Sequence, residues 1–335
     1  MNRFWAVRFG STGIPDPEGR YRLVIGVRGE PHAPDCLRLA QQAVQDADDP
    51  PGRWSLGWGE FVAAHNLWMR DSRGNRFPGW GRRPGRYVVD LSLPAPWERV
   101  IADMLAASKP TYDGIQLDDA KEILFLGFGV PVGCWDPRKW RENVRRIVAA
   151  GAGPKNAMSG WWEYGYTRPE SFAGYGYTKM EGFRFAPRFW IPGWGGMAEH
   201  PKTWETWWQG DPQHLGILGL EELGVTPLIE AQYEPSWDLE TYKEYALVAV
   251  VTACLADKAL LAFHPNHDWG TVTWTSAHDM AWRLGEPTAP ARLRRTGAWA
   301  RQFEHGHVVM NPTDDYVPEA PAHSARIYLK ETGDA

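Results

Sequence analysis

A chain of 335 residues, 43% of them hydrophobic, can bury a large core, which excludes both disorder and a small module. Its net charge of -5, with no compensating basic run, excludes a nucleic-acid partner and an acidic membrane surface. Cys36, Cys134 and Cys254 are odd in number and widely spaced, so they form neither a disulfide scaffold nor a CxxC metal site.

Residues 4–9 alternate and read as an opening strand, left outside the count of repeating units. Residues 22–27 are a firmer strand, bounded by prolines. Asp35 reads as the N-cap of a helix with Leu37, Ala40 and Val44 on one face. Residues 54–58 read as a second strand ending at Glu60. Residues 87–90 read as a third, ending at Asp90. Trp97, Val100, Ile101, Met104 and Leu105 form the stripe of a helix over residues 94–107. The fourth strand, residues 113–117, runs into Asp118 and Asp119.

Asp136 caps the next helix, with Pro137 at its first position and Gly151 at its end. Residues 156–159 are a weak fifth strand and residues 182–185 the sixth. Between them lies an aromatic loop that holds Trp161, Trp162, Tyr164, Tyr175 and Tyr177. Trp204, Trp207 and Trp208 have helical spacing and belong in the core. Residues 226–231 are the seventh strand, ending near Glu230 with Tyr233 beyond. A helix capped by Asp238 follows, and residues 259–264 are the eighth strand. Helical stretches over 276–284 and 291–301 and two short strands, 308–311 and 325–329, complete the chain.

Eight strand units separated by helices or long loops predict an α/β fold, a (β/α)8 TIM-type barrel with a short C-terminal β appendage. The expected division is a barrel over 1–290, with a C-terminal helix and β appendage over 291–335. A doubly wound sheet is disfavoured, because no GxGxxG or Walker loop follows an early strand. No signal core follows Met1, and the longest apolar run, 246–256, is too short for a membrane span. The expectation is a soluble protein that is cytoplasmic, virion-associated or exported without a classical signal.

The segment Asp113-Gly114-Ile115-Gln116-Leu117-Asp118-Asp119 resembles the fourth strand of the barrel glycoside hydrolases labelled hypothetical glycosyl hydrolase family 15, with Asp119 where Asn is usual. Residues 67–75, 89–94, 283–287 and 303–312 resemble other segments of that family in the same order, so the likeness spans roughly residues 54–329. It implies a barrel that acts on or binds a poly- or oligosaccharide, with no cofactor. There is one departure. The family's sixth strand carries an acid where this chain has Ala186, and Glu181 would then sit at the start of that strand.

Glycoside hydrolysis needs two carboxyl groups on opposite sides of the scissile bond. Fold analogy pairs the fourth strand with the seventh, which makes Asp118 and Glu230 the candidate catalytic pair. Asp119, Asp90 and Glu60 are candidate supporting or binding acids. Twenty Trp, 12 Tyr and 12 Phe, many in loop-like stretches, suit sugar rings, so Trp161, Trp162, Tyr164 and Tyr233 are candidate platform residues. His264 and Asn266 are candidates for sugar hydroxyls. The His264, His267, Asp268 group is too irregular to predict a metal site. The alternative is a non-catalytic carbohydrate-binding or structural protein, of a surface or virion, built on a hydrolase-derived barrel.

Overall fold

The computed structural model describes residues 6–9, 21–26, 36–51, 56–109, 111–124, 128–131, 133–159, 172, 174–181, 183, 203–212, 214–265 and 273–330. It is a mixed α/β fold built on a curled parallel sheet. Eight strands pair in that sheet, here β1 (Ala6–Phe9), β2 (Tyr21–Ile25), β3 (Leu37–Ala43), β4 (Gly114–Asp118), β5 (Ala157–Ser159), β6 (Tyr177–Glu181), β7 (Thr226–Tyr233) and β8 (Leu260–Pro265). Each pairs in parallel with its neighbour in the chain, and β1 meets β8 where Ala6 lies beside Leu261.

Several sequence expectations change. Residues 6–9, set aside in the count, supply β1. Leu37–Ala43, expected as helix, is β3. The spacing of Leu37, Ala40 and Val44 suits a helix, but Leu39 and Ala40 are both buried, as in a parallel strand covered on both faces. Backbone pairing with β2 and β4 overrides the helical spacing. Of the expected second strand, Trp54 and Ser55 lie outside the described residues, and residues 56–58 are not strand: Trp58–Ala64 is a helix entered through Gly57 at φ 91°. It packs Trp58 and Phe61 on Trp97, with ring centroids 5.9 and 5.7 Å apart. Arg86–Val88 is a strand, but it pairs antiparallel with Asp46–Asp48 outside the curled sheet. The sixth strand is Tyr177–Glu181, so Glu181 ends that strand instead of beginning it.

The motif around β4 shows why its first residues are structural. A Cβ on Gly114 would meet Asn156 Oδ1 at 2.6 Å and Lys155 O at 2.7 Å. That space is taken because Asn156 Oδ1 accepts from Ile115 N at 3.0 Å and locks β4 to the turn before β5. Asp113 Oδ2 accepts from Arg38 N at 3.0 Å, a tie between strand starts.

Three expected helices form as read. Asp136 accepts from Arg138 N and Lys139 N at 2.9 and 3.1 Å, Pro137 opens the helix and Gly151 is its last residue. Trp97–Ser108 buries its predicted stripe apart from the half-buried Leu105. Leu239–Leu255 begins on Asp238, and its second half is buried on every side. The cause lies at the C-terminus. Arg292–Leu293, Trp299–Phe303, Gly306–Asn311 and Ser324–Leu329 form a four-stranded antiparallel sheet that covers the helix face turned away from the curled sheet. The expected helix at 291–301 is therefore two strands, turned at Gly297 (φ 83°).

Arg301 joins the two layers. Only 5% exposed, it donates through Nη1 to the carbonyls of Cys254, Leu255 and Ala256 and through Nη2 to Asp257 Oδ1. These are the carbonyls left open at a helix C-terminus, where a cation is also favoured by the helix dipole. Arg301→Met is expected to cost about 2–4 kcal/mol, measured by urea unfolding, because it strands several acceptors at once.

Candidate active site

Side chains alternate across a strand, so one face of each strand points into the curl. Read from strand start to strand end, those inward positions change character. Leu39 precedes Gln41, Gly114 precedes Gln116 and Asp118, and Ala157 precedes Ser159. Tyr177 precedes Lys179, Leu228 precedes Glu230 and Gln232, and Ala262 precedes His264. Leu23, Leu39, Ala157, Leu228 and Leu260 pack together as an apolar plug toward the amino ends, joined by Ile25 at the end of β2. The carboxyl ends carry a polar layer. In a parallel barrel that end is where chemistry collects.

The layer is a connected network. Gln116 Nε2 donates to Ser159 Oγ at 3.4 Å, and Ser159 Oγ donates to Asp118 Oδ1. Gln41 Nε2 donates to Asp118 Oδ2 at 2.5 Å. Lys179 Nζ lies 3.7 Å from Asp118 Oδ1 and 3.4 Å from Glu230 Oε2. Glu230 Oε1 accepts from Gln232 Nε2 at 2.8 Å and faces His264 Nε2 at 3.0 Å. The other ring nitrogen of His264 faces the Pro265 carbonyl at 2.9 Å. Both ring nitrogens thus meet oxygens of the site.

The structure therefore brings Asp118, Glu230 and His264 together. Two carboxylate oxygens that flank one nitrogen at these distances are no more than about 7 Å apart. That is inside the upper limit of roughly 9.5 Å for two carboxylates acting on one glycosidic bond. Exposure falls along the network: Asp118 is 15% exposed, Lys179 4% and Glu230 0%. Asp118 is the group nearest the mouth, and Glu230 lies behind Lys179.

The charges decide what these acids can do. Burial pushes the Glu230 carboxyl up, but Lys179, His264 and Gln232 together outweigh it and bring the group down to about 2. Burial likewise opposes ionisation of Asp118, yet Lys179, Ser159 and Gln41 hold it below the usual carboxylate range. Both are anions at neutral pH. A general acid needs its pKa raised, so neither acid suits that role as it stands.

A pH dependence follows for stability. In the unfolded chain Glu230 takes up its proton near 4.5, whereas in the folded chain it does so near 2. Its contribution, roughly 3 kcal/mol, is present above pH 4.5 and is lost as pH falls toward 2. Asp118 acts in the same direction, while Asp90, whose carboxyl is raised by burial, acts in the opposite one. Glu230→Gln is expected to flatten the fall in urea midpoint between pH 4.5 and 2 relative to wild type.

The remaining candidates lie elsewhere. Asp119 follows β4 with φ 54°, a left-handed backbone that Asp and Asn tolerate best, and pairs with Lys121 Nζ at 3.1 Å. Asp90 is buried beyond the two-stranded sheet and accepts from Ser92 N at 2.9 Å and Ser92 Oγ at 2.5 Å. Glu60 is exposed in the first turn of the helix Trp58–Ala64. Tyr233 lies on the outer face of β7, stacked on Phe263 at 5.2 Å, with its hydroxyl 3.2 Å from Thr273 Oγ1.

Trp161, Trp162, Tyr164, Asn266, His267, Asp268 and Ala186 lie outside the described residues. Of the aromatic-loop residues that are described, Tyr175 is buried and donates to Val148 O, and Tyr177 packs against the apolar plug. Trp204, Trp207 and Trp208 are core, as their spacing predicts. Among the described residues, no group of three His, Cys, Asp or Glu gathers that could hold a metal ion, and no helix is long and apolar enough to cross a membrane.

Lys179, Gln41, Gln116 and Gln232 were not singled out from sequence, and Ser159 offered only a hydroxyl without a nucleophile-elbow pattern. The signal that finds them is the change from apolar to polar at every second residue toward the ends of β3 to β8.

No protein-family model matches the chain, and no curated protein matches it. Its structural neighbours among solved proteins are glycoside hydrolases. The glycoside hydrolase domain of PelA from Pseudomonas aeruginosa is 14% identical over 78% of this chain and 94% of that one, with a TM-score of 0.45. Ega3 from Aspergillus fumigatus, in complex with galactosamine, is 7% identical over 82% and 95%, at 0.43. The type III pullulan hydrolase from Thermococcus kodakarensis is 11% identical over 89% and 60%, at 0.46.

Proposed function

We propose that the curled sheet is a (β/α)8 barrel of TIM type and that the chain acts as a glycoside hydrolase on a poly- or oligosaccharide. The observation that carries this reading is the polar layer at the carboxyl ends of the strands, with Asp118 at its solvent side. The likeness of residues 113–119 to the fourth strand of barrel glycoside hydrolases supports it. In this reading Asp118, an anion steadied by three side chains, is the nucleophile or general base. Glu230 is wholly buried and braces the network from behind. The proton donor is a third group. The position to test is the carboxyl end of β6, where Glu181 lies in register with Glu230.

Release of reducing ends from a panel of neutral, amino and acidic polysaccharides tests the assignment, with Glu181→Gln beside wild type. Hydrolysis that survives Glu181→Gln would place the donor elsewhere. One observation favours a second reading, a binding protein without turnover: both described acids are held as anions within one ion-paired network. Tight glycan-array binding with no hydrolysis of the bound glycan would establish that reading in place of the first.

A further inference from the structure

We propose that Lys179 is the positioning residue of this site: its one buried ammonium, 3.7 Å from Asp118 and 3.4 Å from Glu230, holds the Asp118 carboxylate in place at the mouth. The proposal rests on the reading of Asp118 as the group that faces substrate.

The geometry runs from the inside outward. Glu230 is fixed first, because Gln232 and His264 both hold Oε1 and leave Oε2 turned to Lys179. The lysine stem rises from the middle of β6, where Lys179 is in register with Ser159 of β5. Its ammonium therefore lies behind the same carboxylate that Ser159 contacts. The groups that face Asp118 among the described residues are Gln41 from β3, Ser159 from β5 and Lys179 from β6, with Glu230 of β7 beyond the lysine. Gln41 and Ser159 are neutral, so the cation in this set is Lys179. A buried anion with neutral donors alone would take up a proton far more readily. Glu230 thus sets Lys179, and Lys179 sets Asp118. In this arrangement Glu230 acts without touching substrate.

The test is a titration that needs no substrate. Protein labelled with 13C at the Asp side-chain carboxyl is titrated by NMR, and the Asp118 signal is identified as the one missing from Asp118→Asn. In Lys179→Met the Asp118 midpoint is expected to rise by about one pH unit or more. In Lys179→Arg, which keeps the charge, it is expected to return toward wild type. An unchanged midpoint in folded Lys179→Met overturns the proposal. An equal rise in both variants also overturns it, because lost packing and not lost charge would then be the cause. If Lys179→Met does not fold, the Lys179→Met/Glu230→Gln double variant is compared with Glu230→Gln, so that the repulsion of Glu230 is absent from both, and the same rise or its absence decides. A chain that hydrolyses nothing on the polysaccharide panel yet shows the charge-dependent shift defeats the functional reading and leaves the role of Lys179 standing.

Discussion

Asp118→Asn is expected to lower turnover of whichever polysaccharide the chain cleaves by on the order of 10³-fold, with KM little changed. The amide keeps the shape of the carboxylate and can still meet Gln41 and Ser159. It cannot act as nucleophile or base, so the loss falls on kcat. Asp119→Asn is the matched control. Asp119 pairs with Lys121 and takes a left-handed backbone that Asn also accepts, so its removal is expected to change turnover only a few-fold. Initial rates on the same substrate decide between the neighbours. Full activity in Asp118→Asn, or an equal loss in both variants, would remove Asp118 from the chemistry.

Lys179→Met is expected to destabilise the fold by roughly 3–5 kcal/mol at neutral pH. The lysine and Glu230 are both buried, so removing one leaves the other's charge without its partner in a medium that cannot solvate it. Glu230→Gln alone is expected to cost a comparable amount, because Lys179 then keeps only Asp118. The double variant Lys179→Met/Glu230→Gln removes both charges and is expected to recover most of the loss. Urea unfolding of the four proteins gives the coupling directly. Strict additivity of the two single losses would mean that the ammonium and the carboxylate do not act as a pair.

Much of the fold was legible because it rests on local physics. The caps at Asp136 and Asp238, the stripe from Trp97 to Met104 and the apolar cores of β4, β7 and β8 each follow from a few neighbouring residues. The errors fell where distant partners decide. Residues 37–43 have helical spacing and lie in a sheet because β2 and β4 flank them. Residues 87–90 read as a strand and Arg86–Val88 is one, but its partner is Asp46–Asp48, where Arg86 is tied to Asp46 by a two-pronged ion pair at 2.6 and 2.7 Å. Residues 292–301 turn at Gly297 and pair antiparallel because the helix Leu239–Leu255 offers an apolar face to cover.

The site divides in the same way. By itself the sequence determined that Asp118 ends a strand of a parallel sheet, since strand length and turn residues are local properties; Glu230, expected at a strand end, lies inside a strand that runs on to Tyr233. The sequence also determined that Asp113 and Gly114 open a strand. Only the tertiary structure decided that Asp118 and Glu230 share one cation, because Lys179 reaches them from a third strand more than fifty residues from either. Lys179 follows the expected aromatic loop and precedes the expected sixth strand, so no local pattern marks it. Curling of the sheet turns that position inward, and burial among two carboxylates sets its role.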